Sequence, residues 1–493
     1  MVNAGGHFFK KGLPIYLMYI SNGYITAFMC RVRLALNEWF GRRAIKSGHL
    51  TIKRGSMITP TDVHAEAEMV ISPKRAYSWF SVVLLIWIVD IMDKQAINAV
   101  LPVLKSEFQF SDTQLGAISS IVSVSVGLLC LPVAILVDRW SRRKIITLMV
   151  GLWSLATFLT GRATGFVSLL LARLSVGVGE AGYQPAAISL VSAWFPQSKR
   201  GAMIGLLTAG APLGAMAGIL LAGNLSYHFG WRSCFGILAI PGLLLALCAW
   251  FIPDYKTIRV RQDGEEHVKG GLKETILYIL KSPTMIFLYL ASAAMVLVLV
   301  TFGAWGVTFF QRTFDLNIKH ASTIIGVILL ITFPGSLFGG WLGDKLIKRT
   351  VKGRLYAALI SGISFLLVST LSLQMAHVTR NIYIVIPLWA LASFFIVGIM
   401  SNIYATTQDL AAPHFRATAV GFVPLVQQLL GATTGPILAG YISDRMGLIS
   451  ALQIVALIGI CVGSILILNA VRYYNRDLSR MNDLGKFKLN EEK

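Results

Sequence analysis

Between Tyr77 and about Arg472 the chain is a series of apolar stretches, each about 20 residues long, the length that crosses the hydrocarbon core of a bilayer as a helix. Within that core a backbone must pair its own N–H and C=O groups, which a helix does and an irregular segment does not. Twelve such stretches are predicted, near 77–103, 113–136, 145–161, 166–194, 201–226, 231–252, 284–311, 320–346, 354–376, 381–411, 416–443 and 448–471. The expected fold class is an all-α membrane protein with twelve transmembrane helices. The composition agrees: 55 % of the residues are hydrophobic and only 14 % are charged, which argues against a water-soluble chain.

A formal net charge of +21 would suit either nucleic acid or an anionic membrane surface, and the placement of the cations decides between them. Beyond the first 75 residues Lys and Arg fall mostly in short segments between apolar runs, without the interleaved aromatics on which bases stack. No nucleic-acid partner is expected. One alternate set of loops is the richer, with Arg139, Arg142, Arg143, Lys144, Lys199, Arg200, Lys348 and Arg349, against Lys105, Arg162 and Arg380 on the other side. The richer side is expected to be cytoplasmic, with the start of the first span and the C-terminus on it, in the cell inner membrane. Five cysteines without CxxC spacing provide neither a disulfide framework nor a zinc site, and they read as small buried residues.

The two halves of the apolar region echo each other. After span 2 stands Asp138-Arg139-Trp140-Ser141-Arg142-Arg143-Lys144, and after span 8 stands Asp344-Lys345-Leu346-Ile347-Lys348-Arg349. Pro196 to Arg200 after span 4 is matched by Pro413 to Arg416 after span 10. Repeats in the same order imply two pseudo-symmetric six-helix bundles. The expected organisation is a basic N-terminal extension over 1–75, bundles over 76–252 and 284–472, a polar cytoplasmic linker over 253–283 and a cytoplasmic tail over 473–493. A carboxylate such as Asp138, where span 2 meets the cytoplasm, can accept hydrogen bonds from the N-terminal amides of a neighbouring helix, and span 11 begins on that side near Arg416.

An ionisable residue inside a span costs at least about 2.5 kcal/mol unless it is paired or hydrated, so the few present carry weight. Span 1 holds Asp90, Asp93 and Lys94, at spacings of three and four that share a helical face; span 4 holds Arg173 and Glu180, two turns apart on one stripe. Asp93, Lys94, Arg173 and Glu180 are therefore expected to look into one cavity between spans 1 and 4. A static ion-pair network that sets helix register is the competing reading, weakened because buried pairs stabilise poorly once desolvation is counted. Tyr183, Gln184, Trp305, Asn402, Tyr404, Gln408, Gln427 and Gln428 are further polar candidates for the cavity wall, each with a helix–helix hydrogen bond as the alternative.

The loop after span 2 and its copy after span 8 resemble the signature loop of the major facilitator superfamily, with Ala134 and Ser141 where glycines are usual. That resemblance implies a gate closed between the halves on the cytoplasmic side, with Asp138, Arg139, Arg142, Asp344 and Lys345 in it. The longer run of Asp93-Lys94, Ser111 to Gly116, Arg173 to Ala186, Gly230-Trp231-Arg232, Gly435-Pro436 and Ser443-Asp444 is similar to bacterial spinster-like members. By that likeness Asp93, Lys94, standing where Arg is usual, Arg173 and Glu180 serve proton sensing and substrate-dependent switching, with Asp93 and Glu180 expected to exchange protons and Lys94 and Arg173 to attract the anionic group of the substrate. Lys94 keeps the charge of Arg but not its planar fork.

No GxxxxGK[ST], HExxH or GxSxG run occurs, so neither ATP-driven transport nor an intramembrane enzyme is expected, and no cofactor or metal. The function expected is a secondary transporter, monomeric, that works by alternating access in the lipid bilayer. It would use protons as coupling ion and a small organic anion or an amphipathic lipid-like solute as cargo. An organic anion:proton symporter of the hexonate or hexuronate type is the alternative; a transporter-like receptor would be expected to lose the gate loop or the membrane carboxylates.

The first 75 residues stand outside this pattern: Leu13 to Cys30 is apolar and follows Lys10-Lys11, as in a signal peptide or an extra span, yet Arg31, Arg33, Arg42 and Arg43 follow it without a small-residue cleavage site. The simpler expectation is a translation start at Met57 or Met69. Mass spectrometry of the mature protein is then expected to lack peptides from residues 1–56, and finding them refutes the late start.

Overall fold

The structure, a computed structural model, describes residues 72–254, 272–411 and 416–491. The expected N-terminal extension and most of the linker lie outside the described residues, as do the side chains of Asp138 and Arg139. The helices are α1 (Pro73–Phe108), α2 (Asp112–Arg139), α3 (Arg142–Thr160), α4 (Phe166–Glu180), α5 (Tyr183–Trp194), α6 (Gln197–Thr208), α7 (Gly210–Ala249) and α8 (Leu272–Leu280). There follow α9 (Pro283–Phe314), α10 (Ile318–Ile347), α11 (Gly353–Val378), α12 (Ile382–Leu410), α13 (Arg416–Val426), a π-helical turn (Gln427–Ala432), α14 (Thr434–Met446) and α15 (Leu448–Glu491).

Ten stretches among the described residues are long and apolar enough to cross a membrane. One of them, Ser198–Ala249, runs for 52 residues and makes two crossings, because Gly230 at φ 79° takes a left-handed backbone and turns the chain back. The helix missing from those ten is α1, whose Asp90, Asp93 and Lys94 lower its hydropathy without shortening it. With it the crossings are twelve, in two six-helix bundles. Where one span is expected over 166–194, α4 and α5 are divided at Ala181-Gly182, and Pro185 falls in the first turn of α5, where its missing N–H costs nothing.

The last helix does not stop at 471 but continues to Glu491, so the expected tail extends span 12. Its length has a local cause. No glycine or proline interrupts 464–484, and Asp477, buried, accepts the Thr284 N–H and the Ser282 hydroxyl at the start of α9, both at 2.9 Å. Ser141, which replaces a usual glycine in the loop after span 2, acts as a helix cap. Its hydroxyl accepts the Lys144 N–H at 3.2 Å at the start of α3.

The apolar core shows where the bundles meet. The part of the first bundle around Met92–Leu104, Phe110–Ile118 and Ile219–Leu238 is continuous with the core of the second, whereas the part around Ala76–Ile86, Ile145–Trp153, Tyr183–Trp194 and Ala246–Ile252 forms a cluster of its own. The bundles are thus packed together at the end that carries Phe108 and Asp112.

A polar network crosses between them at that end. Asp112, at the start of α2, takes both Nη1 and Nη2 of Arg312 at 2.7 and 2.8 Å, Lys105 Nζ at 2.6 Å and the Ser443 hydroxyl at 2.6 Å. Asp444, at the end of α14, accepts the backbone N–H groups of Asp112 at 2.7 Å and Thr113 at 2.9 Å, and the Thr113 hydroxyl at 2.6 Å. This is a carboxylate on a helix N-terminus of the other bundle, the arrangement expected for Asp138, found at the opposite end of the molecule. Gly440 lets the helices close so far that a Cβ there would collide with the Asp112 carbonyl.

Hydrogen bonds to charged groups contribute about 1.5–3 kcal/mol each, so removing one or two shifts the balance between a closed and an open end measurably. Spin labels at the exposed Ser106 and Met446 report this distance. In Arg312→Met and Asp444→Asn a second, longer distance population is expected; an unaltered distribution in both variants means that the network does not hold this end shut.

Candidate functional site

Two helices of the first bundle bring the charged groups together. On α1, Asp90, Asp93 and Lys94 lie one turn apart; on α4, Arg173 and Glu180 lie two turns apart. The motif between them explains how α4 comes close enough. A Cβ at Gly177 would collide with Ser125 and Val122 of α2, and one at Gly179 with Trp153 of α3, so the two glycines seat α4 against both neighbours.

Arg173 is wholly enclosed, with 0 % of its surface exposed, Asp93 has 2 % and Asp90 5 %. Arg173 Nη2 donates to the Lys94 carbonyl at 3.3 Å, and Lys94 Nζ lies 3.5 Å from Glu180 Oε2. The Lys94 side chain keeps 26 % of its surface exposed, against 5 % for Glu180. Asp93 Oδ2 accepts the hydroxyl of Thr157 from α3. Arg173 Nε and Nη1, Asp90 Oδ1, Asp93 Oδ1 and Glu180 Oε1 are buried and find no hydrogen-bond partner. The site therefore has spare donors and acceptors in an enclosed space, which a fully satisfied structural ion pair does not.

Of the polar residues proposed for the cavity wall, three are occupied in helix packing. The Tyr183 hydroxyl donates to the Val83 carbonyl, and its ring stacks on Trp87 with centroids 6.1 Å apart. Trp305 Nε1 donates to the Pro436 carbonyl at 3.1 Å. The Asn402 amide donates to the carbonyls of Gly339 and Gly398 at 2.9 and 3.0 Å and ties α10 to α12. Gln184 and Gln408 are exposed. Tyr404 and Gln427 form a pair, the tyrosine hydroxyl donating to Oε1 at 3.1 Å, and Gln427 opens the π-helical turn. Single-turn π segments inside α-helices are frequent at functional sites.

At the end away from Asp112, Arg354 bridges Asp344, at 3.2 Å, and Asp409, tying the ends of α10 and α12 to the start of α11. Lys345 Nζ lies over the Trp341 ring, 4.8 Å from its centre, and Arg142 is buried at the start of α3. Sequence reasoning missed Thr157, a threonine in an apolar run, and Arg354; each has a partner more than fifty residues away, Asp93 for Thr157 and Asp409 for Arg354.

The sequence pattern of the Major Facilitator Superfamily matches residues 83–436. The hexuronate transporter of Bacillus subtilis (strain 168) is 26 % identical over 374 residues, 75 % of this chain and 88 % of that protein. The benzoate transport protein of Acinetobacter baylyi is 26 % identical over 459 residues, 84 % of this chain and 95 % of that protein. Among solved structures, a bacterial homolog to the human lysosomal transporter Spinster, in an inward-facing and unoccupied conformation, superposes with a TM-score of 0.72 at 21 % identity, over 83 % of this chain and 99 % of that one. The family pattern spans most of the chain and the fold is shared over 83 % of it, so the chain belongs to the Major Facilitator Superfamily and is a secondary transporter of twelve helices in two bundles.

Proposed function

We propose that the protein carries a small organic anion across the cell inner membrane by alternating access, coupled to protons. The observation that carries this reading is the enclosed cluster on α1 and α4. It holds three carboxyl groups, Asp90, Asp93 and Glu180, with two cations, Lys94 and Arg173, so it is neutral only when one carboxyl holds a proton. An anion arriving at Lys94 and Arg173 competes with those carboxylates for the same two cations. Binding of the anion then favours protonation of a carboxyl that loses its partner, and release favours loss of the proton. That is thermodynamic coupling between two ligands, obtained from charge balance alone.

In this reading Asp93 and Glu180 exchange protons, while Lys94 and Arg173 hold the anionic group. Tyr404, Gln427, Gln408 and Gln184 meet the uncharged remainder of the solute, and Tyr183, Trp305 and Asn402 set the helices that carry them. The names of the relatives support an anionic cargo: hexuronate and benzoate are both carboxylates. Asp138, Arg139 and Arg142, with Asp344 and Lys345, form the gate on the cytoplasmic side. The bundles at 76–252 and 284–472 rock about the site, joined by the linker at 253–283. The excess of Lys and Arg in the loops around Arg142 and Lys348 supports placing that side, and the C-terminus, in the cytoplasm. The protein acts as a monomer, without cofactor or enzymatic activity.

In proteoliposomes, Asp93→Asn and Glu180→Gln are expected to abolish proton-driven accumulation of the anion while exchange of anion across the membrane persists; accumulation at the wild-type level in both variants removes the coupling assignment. A thermal-shift screen of sugar acids, aromatic acids and lysolipids identifies the cargo. For the acid that binds, Lys94→Gln is expected to raise the half-saturating concentration at least about tenfold, the equivalent of 1.4 kcal/mol. An unchanged value, or stabilisation by neutral lysolipids alone, counts against an anion held at Lys94.

A further inference from the structure

We propose that Thr157 is a positioning residue for the proton exchanged at Asp93: its hydroxyl satisfies the carboxyl in both protonation states and holds the exchangeable proton on Oδ2. The inference rests on the reading of Asp93 as a proton carrier.

Thr157 lies in the last turn of α3 and is 1 % exposed. Its hydroxyl has two acceptors within reach, Oδ2 of Asp93 and, one turn back on its own helix, the Trp153 carbonyl at 3.0 Å. A hydroxyl has one proton to donate and lone pairs with which to accept. With Asp93 charged, that proton points to Oδ2, and the bond is charge-assisted. With Asp93 neutral, the carboxyl O–H donates to Thr157 Oγ1, and the threonine proton turns about the Cβ–Oγ1 bond to the Trp153 carbonyl. The proton gained or lost is the carboxyl's own; the threonine keeps its proton throughout, and no heavy atom needs to move.

The geometry singles out one oxygen. Asp93 Oδ1 has no hydrogen-bond partner, so a proton there would have no acceptor in the enclosed site. The ionisable neighbours of Asp93 cannot take the place of Thr157. Asp90 on α1 and Glu180 on α4 are carboxyls that, in the proposed reading, meet the same cations as the cargo, and Lys94 on α1 and Arg173 on α4 only donate. On α7, Cys234 faces the same region and gives its weak S–H to the Ala222 carbonyl at 3.8 Å. Among the described residues, Thr157 is the neutral group on α3 whose hydroxyl meets the Asp93 carboxyl, and a hydroxyl both donates and accepts.

Thr157→Val keeps the volume and removes the hydroxyl, while Thr157→Ser keeps the hydroxyl and removes a methyl group. Anion accumulation by each variant in proteoliposomes is measured against pH, beside Asp93→Asn. The valine variant deprives the charged carboxyl of a charge-assisted bond and the neutral one of a weaker bond, so the midpoint of its profile is expected about one pH unit to the alkaline side of wild type. The serine variant is expected to return it to the wild-type position. A purely structural role for Thr157 would lower the rate at every pH and leave the midpoint in place. Where the valine variant fails to insert, Thr157→Ala supplies the same comparison. If the valine or alanine profile overlays wild type while Asp93→Asn removes the pH dependence, the assignment of Thr157 falls alone. If Asp93→Asn itself keeps the wild-type profile, the reading of Asp93 falls and takes that of Thr157 with it.

Discussion

A guanidinium that cannot readily lose its proton, shut inside a membrane helix bundle, constrains everything around it. Arg173 is fully enclosed in α4, and an isolated charge there would be prohibitive. It demands carboxylates nearby, and Asp93 of α1 and Glu180 of its own helix supply them. It demands close approach, and Gly177 and Gly179 allow α4 to lie against α2 and α3. The same closeness puts Thr157 against Asp93 and Lys94 against Glu180. The first bundle is thus organised around a charge cluster whose buried donors and acceptors are incompletely satisfied.

The two bundles contribute differently. Charge sits within the first bundle, whereas the second offers uncharged polar groups, with Gln427 placed by a π-helical turn so that it meets Tyr404. In the proposed reading, a solute with a charged end and an uncharged body would engage both. It would also connect them, so that its binding bears on how the bundles lie against each other.

The closed end uses other physics. There Asp112, Arg312, Lys105, Ser443 and Asp444 cross the boundary through short hydrogen bonds, and the apolar cores of the bundles run together. Charge-assisted bonds near water are strong enough to favour one state, and water can replace them when the end opens. A wholly apolar seam of the same extent would have no such replacement. At the other end the Arg354 bridge keeps within the second bundle, so that bundle can move as one piece.

Much of this was legible without coordinates. The spans are visible because hydrocarbon imposes a length and an apolar composition on each helix, and the pseudo-symmetry because the loops after spans 2 and 8 repeat. Asp93, Lys94, Arg173 and Glu180 stood out because a charge in a span is costly and therefore rare. The sequence also marked Ser111 to Gly116 and Ser443-Asp444 as motifs, though not as partners. Which of them meet was decided by tertiary structure, since Asp112 and Asp444 are separated by most of the chain and only helix packing joins them. Tyr183, Trp305 and Asn402 show the converse: their polar groups looked available for a solute, and packing had committed them to backbone carbonyls. A residue's chemistry can be read along the chain, because it belongs to the side chain and the solvent around it. Its partner cannot, because that depends on how closely two helices approach.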